Sequence, residues 1–152
     1  MTNQAHYKRR KPPARLEEIE QARVIAWSHR PAVRAAIPAV RWLHHSPNGG
    51  KRDAFTGAQL KALGVSPGFP DLILPARSAN GLHPGLAIEM KRPDGKGRVS
   101  DSQGEWLDHL DSQGWHTAVA TSAEQAARII VEYLAGEEAA VAMIEAAQKE
   151  AA

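Results

Sequence analysis

The chain has 152 residues of which 43% are apolar, enough for one domain with a real core and against disorder in its bulk. It has no cysteine, which excludes disulfides, iron–sulfur ligation, zinc–thiolate sites and thiol nucleophiles, so any metal must rest on oxygen or imidazole. Net charge is +2 but unevenly spread: residues 1–52 hold eleven Lys/Arg against three Glu, so the N-terminal third is the part suited to a polyanion. No run approaches the roughly 18 to 20 apolar residues of a bilayer span, and no secretory-type apolar stretch opens the chain, so no membrane association and a cytoplasmic location are expected.

The first fifteen residues, with Lys8, Arg9, Arg10 and Lys11 before Pro12 and Pro13, read as a flexible basic arm suited to phosphates or merely solubilising. Residues 16–30 follow as a helix, with apolar positions at Leu16, Ile19, Ala22 and Ala26, acids in its first turns and a stop before Pro31. Residues 39–46 alternate imperfectly and run into Pro47-Asn48-Gly49-Gly50, which predicts a strand and a Gly-rich loop. A short helix over 54–63 is stopped by Gly64, and Pro67, Gly68 and Pro70 lead into a strand over 71–74. The connection 75–85 is too short for a crossover helix, so the strands at 71 and 86 should pair antiparallel.

LAIEM, bounded by Pro84-Gly85 and Pro93, is the next strand, and residues 94–98 form a second, basic Gly-rich loop. Ser100 resembles the N-cap of a helix through Asp111 with Trp106, Leu107 and Leu110 on its apolar face. A strand over 115–120 is reached across that helix and should run parallel to LAIEM. Ser122 caps a helix through Leu134, and Gly136 separates it from an Ala/Glu-rich terminal helix over 137–149, a packing arm or a partly detached tail. The order implies an α/β domain with a small mixed sheet covered on both faces by helices.

Asp71, Glu89 and Lys91 carry the chemistry. Residues two apart on a strand share a face, so Glu89 and Lys91 project side by side, and a second acid in reach makes a cation site. Taken alone, an E-x-K triplet is more often an exposed ion pair; Pro70-Asp71 ahead of a second apolar strand changes that balance. Two carboxylates holding magnesium would counter the charge that gathers on a phosphodiester during cleavage, with Lys91 addressing the water and the scissile phosphate. The sequence Gly64-Val65-Ser66-Pro67-Gly68 satisfies the G-x-S-x-G elbow of serine hydrolases, but it follows a helix, and Pro67 has no N–H for an oxyanion. His44 and His45 should point to opposite sides of a strand, so at most one faces the site. Trp27, Trp42, Trp106 and Trp115 read as core and helix-packing aromatics.

Pro70-Asp71 followed by Glu89-Met90-Lys91 resembles the PD-(D/E)XK nuclease superfamily, whose core is restriction-endonuclease-like. The fuller pattern, GVSPGFPDLILP and then LAIEMKRPDGKGRVSDSQGEWLDHLDSQGW, is similar to its VRR-NUC branch of phage and repair nucleases. The resemblance spans residues 16–135 and implies a nuclease domain between the arm at 1–15 and a C-terminal helix at 136–152. It further implies Gln103 at the metal site and an additional acid on the first helix, for which Glu17, Glu18 and Glu20 compete and Glu20 is favoured. It implies a DNA endonuclease using Mg2+ or Mn2+ on branched, flapped or junction DNA, dimeric in some small members and acting in a host cell if phage-encoded. Lys51, Arg52, Arg92, Lys96 and Arg98 are the expected phosphate contacts. A non-catalytic DNA-binding subunit and a restriction-type, site-specific enzyme are the alternatives.

Overall fold

A computed structural model describes residues 16–46 and 54–151. Six helices, a 3-10 turn and four strands follow one another as α1 (Leu16–Ser28), α2 (Pro31–Ala36), the 3-10 turn (Pro38–Trp42), β1 (His44–His45), α3 (Ala54–Ala62), β2 (Leu72–Leu74), β3 (Leu86–Met90), α4 (Asp101–Ser112), β4 (His116–Ala120), α5 (Ala123–Ala135) and α6 (Glu137–Ala151). The strands form one mixed sheet in the order β1-β2-β3-β4. The expected pairings hold: β2 lies antiparallel to β3, and β3 lies parallel to β4 across the α4 crossover.

Side chains alternate across this sheet. Leu72, Leu74, Leu86, Ile88 and Met90 turn one way, into a core completed by Val24 of α1 and by Ala126, Ile130 and Val131 of α5. Ala87 and Glu89 turn the other way, onto the face where α4 packs against β3 and β4. Every residue of β3 is buried, so its one carboxylate sits in an apolar strand. That placement needs a compensating partner, since a lone buried charge is strongly unfavourable.

Three expectations change. The strand expected over 39–46 is two residues long, because Pro38 opens a 3-10 turn and Val40 anchors it in the core. Pro31, expected only as a stop, also begins α2, since proline suits the first helical position where its missing N–H is not needed. The inward face of α1 is also turned from the apolar stripe expected of it: Leu16 and Ile19 are exposed while Glu20, Gln21, Val24 and Ser28 are buried. Two of these three buried polar residues, Glu20 and Gln21, have partners far away in the chain, while Ser28 donates to Ile25 O within its own helix. α6, by contrast, packs along α5 with Ala140 buried and Ala139 and Met143 against the core. No helix among the described residues is long and apolar enough to cross a membrane.

Candidate active site

Asp71 stands one residue before β2. Leu72 pairs with Ile88, so continuing that antiparallel register sets Asp71 opposite Glu89 on the α4 side of the sheet. Its backbone is pinned by the Ser46 N–H, which donates to the Asp71 carbonyl at 2.9 Å. Its carboxylate accepts the Met90 N–H through Oδ2, also at 2.9 Å. The acid is therefore held by both neighbouring strands.

Glu89 is 1% exposed and Lys91 7%. Lys91 Nζ donates to Glu89 Oε1 at 2.8 Å and to Gln103 Oε1 at 2.9 Å. Gln103 Nε2 donates to the same Glu89 oxygen, closing a three-membered polar ring. Gln103 can do this because it is also the third residue of α4. Its backbone N–H donates to Ser100 Oγ, and its Oε1 accepts the Ser100 N–H at 2.8 Å, so the capping box that starts the helix also orients the amide.

Glu89 Oε2 is buried and has no hydrogen-bond donor. The Asp71 carboxyl is near enough to the Glu89 carboxyl for each to act on the other's charge. Burial pushes the Glu89 carboxyl up to about 7, with Asp71 adding to the rise and Lys91 opposing it. Burial likewise raises Asp71, against the lowering effect of the Met90 N–H and of Lys91. Two neighbouring carboxyls whose charged forms are both disfavoured in the bare protein, one of them with an orphaned buried oxygen, form a pair whose electrostatic cost a bound cation would relieve. Among the described residues no group of three or more His, Cys, Asp or Glu is placed to hold a metal, so a cation here would rest on these two acids with waters or backbone carbonyls completing its shell.

The structure thus brings Asp71, Glu89, Lys91 and Gln103 together, and it does not bring Glu20 to them. Glu20 turns instead toward α5, accepting the Ala123 N–H at 2.7 Å through Oε2 and pairing with Arg23 at 2.9 Å through Oε1. The Ala123 N–H, helped by Arg23, holds its carboxyl below the usual range. This is a helix-terminus anchor, and the expected effect of Glu20→Ala is a loss of about 1 to 2 kcal/mol of stability in urea melts. Cleavage by the folded variant should be unchanged; a hundredfold drop without a stability change would put Glu20 back at the site.

The residue of α1 that does reach toward Asp71 is Gln21, which sequence reasoning missed. Its amide contacts the His45 imidazole, whose Nδ1 lies 3.1 Å from the Asp71 carbonyl oxygen. Glu18 lines the same open groove as Gln21 and His45, whereas Glu20 does not. The alternation predicted at His44-His45 was the available signal: His45 pairs with Leu72 on the α1 side, and His44 pairs with Ile73 on the α4 side.

Arg92, Lys96 and Arg98 are exposed on the loop after β3. Asp94 shapes that loop by accepting the Lys96 N–H at 3.1 Å and pairing with Arg92 at 2.6 Å. Gly97 lies against the Lys91 stem, where an added methyl would sit 3.4 Å from Cδ, so the cations flank the buried lysine. Lys51, Arg52 and the basic run at 8–11 lie outside the described residues.

Comparison with known proteins identifies the family. The VRR-NUC domain family matches residues 14–124. A solved structure described as a VRR_NUC domain protein is 30% identical, covers 78% of this chain and 88% of its own, and superposes with a TM-score of 0.62. No curated protein matches. With the family match running from before α1 into the start of α5 and thus over all four strands and the polar ring, the chain belongs to the VRR-NUC domain family.

Proposed function

We propose that this protein is a DNA endonuclease dependent on Mg2+ or Mn2+, with Asp71 and Glu89 as the metal ligands and Lys91 and Gln103 completing the catalytic group. The observation that carries this reading is the buried, partnerless Oε2 of Glu89, in a residue that neighbours the Asp71 carboxyl and stands two positions before a buried lysine. A divalent cation there supplies charge neutralisation on the phosphate and acidifies water. Everything else falls to the chain's own side chains.

Lys91 has three ammonium hydrogens, and two are committed to Glu89 and Gln103. The third is free for a non-bridging phosphate oxygen or for the attacking water. Gln103 fixes where it points, since its amide is itself held by Ser100. Arg92, Lys96 and Arg98 on the adjoining loop, with Lys51 and Arg52, supply phosphate contacts that give affinity and salt sensitivity but little sequence information. The sequence carries no recognisable base-reading module, which favours branched, flapped or junction DNA over a long recognition site.

Incubation of supercoiled plasmid and branched oligonucleotides with Mg2+ or Mn2+ tests this. Asp71→Asn and Lys91→Met are each expected to reduce cleavage by about 10²-fold or more, the scale of a lost general acid–base or charge-stabilising group. Undiminished cutting in either variant would place the chemistry elsewhere. Discrete plasmid fragments would instead reveal a site-specific enzyme, and absence of cutting with intact binding would reveal a non-catalytic subunit.

A further inference from the structure

We infer that α2, the 3-10 turn and the start of β1 form a second DNA-contacting surface, on which Trp42 stacks against an unpaired base next to the catalytic face. This deepens the nuclease reading by naming how single-stranded character in the substrate would be sensed. Trp42 was expected in the core, yet it is 59% exposed. The reason is visible in its neighbours: Val33, Ile37 and Val40 anchor the segment inward, and Leu43 packs partly against the core, which leaves Trp42 and His44 facing out. An exposed indole contributes little to this fold. Its face is not bare either, because the Arg41 guanidinium lies 4.9 Å from the ring centroid.

Charge identifies the occupant. Between residues 21 and 46 the chain has no Asp or Glu, while Arg30, Arg34 and Arg41 are all exposed on this segment. None of the three is paired with a carboxylate among the described residues. Uncompensated guanidinium groups around an exposed aromatic combine the two elements that hold single-stranded nucleic acid, a cationic track for the backbone and a π-face for bases. An apolar protein partner would be poorly served by such a surface.

The sheet register places it at the site. Ser46 bonds to the Asp71 backbone, and Trp42 lies four residues before Ser46, so Trp42 and Ser46 are at most about 13 Å apart along the chain, about four nucleotide steps of a duplex strand. His44, between them, pairs with Ile73 and so shares the sheet face of Asp71 and Glu89. A strand leaving the carboxylates across His44 would reach the indole with its next few bases.

Binding without cleavage separates this from the nuclease reading. Fluorescence anisotropy in EDTA would compare a labelled forked DNA with an unpaired arm and a fully paired duplex of equal length. Trp42→Ala is expected to weaken fork binding by about fivefold or more, the lower end of a lost base–aromatic stack, with less than a twofold change on duplex. Trp42→Phe should retain most of the affinity, and the quenching of tryptophan emission by a single strand should shrink in Trp42→Ala. The Arg30→Ala, Arg34→Ala, Arg41→Ala triple variant should lower affinity for both DNAs and flatten the salt dependence. Equal effects of Trp42→Ala on fork and duplex, or none on either, would overturn the inference. A fork-specific loss in a protein that never cleaves would uphold it while removing the enzyme reading.

Discussion

Replacing Glu89 with glutamine is expected to abolish metal-dependent cleavage while making the metal-free protein more stable at pH 8. Burial and the adjacent Asp71 carboxylate raise Glu89 from its ordinary 4.5 to about 7. Between those values the folded chain binds a proton that the unfolded chain has released, so the stability of the bare protein falls as pH climbs from 4.5 through 7. Fully integrated, that loss is on the order of 3 kcal/mol. Glutamine removes the loss without removing the packing. Its carbonyl can still accept from Lys91 and Gln103, and its NH2 would occupy the place of the orphaned Oε2 and donate to Asp71.

Thermal melts in EDTA check this directly. At pH 5 the variant should match the parent, and at pH 8 it should melt higher by about 5 to 10 °C for a domain of this size. Mg2+ or Mn2+ should close the gap at pH 8 by raising the parent alone, since ligand binding to the native state stabilises it and the variant has lost one of its two acids. A difference between the two proteins that does not change with pH, together with no metal effect on the parent, would mean that Glu89 is neither strained nor a ligand. Such a trade of stability for function is expected where a buried carboxylate waits for a cation.

What could be read from the chain in advance follows the range of the physical interactions. Glu89 and Lys91 were legible because period-two alternation is local, and the polarity of both in an apolar run is visible in five letters. Asp71 followed from the short connection that forces an antiparallel register and Ser100 from its N-cap pattern, whereas Gln103 came only with the family resemblance, and the four-residue capping box explains its place. Glu20 and Gln21 were not legible. Their burial is compensated by Ala123 and His45, partners 103 and 24 residues away, and nothing within α1 announces either contact. Reading helix faces by hydrophobicity alone chose Leu16 and Ile19, which the fold leaves outside. Pro31 and Pro38 misled for a different reason, because the same ring that ends one helix begins the next. Trp42 was misjudged because aromatic residues are usually counted as core.

Gly68→Ala should be the most damaging single methyl added near the site. Gly68 has φ of +82°, where an L side chain is strained, and its added Cβ would stand 2.4 Å from Ser102 C, 2.5 Å from Ser102 O and 2.7 Å from Gln103 N. These are backbone atoms of the first turn of α4, so no side-chain rotation relieves the clash. The loop is otherwise docked onto the same helix, with Trp106 Nε1 donating to Pro67 O at 3.2 Å and the Phe69 ring edge-on to Trp106 at 4.9 Å. Pushing the turn away would carry Gln103 off Lys91 and Glu89, so the catalytic group should open even in molecules that remain folded. Strain and overpacking together predict a loss of about 2 to 4 kcal/mol and a deep loss of cleavage measured well below the variant's melting temperature. Gly64→Ala is the control: φ there is +89°, but nothing lies within 4 Å of the added methyl. That variant should lose only about 1 to 2 kcal/mol from backbone strain and keep cutting DNA. If the two substitutions proved equally mild for cleavage, the contact between the glycine loop and α4 would not be what holds Gln103 in place.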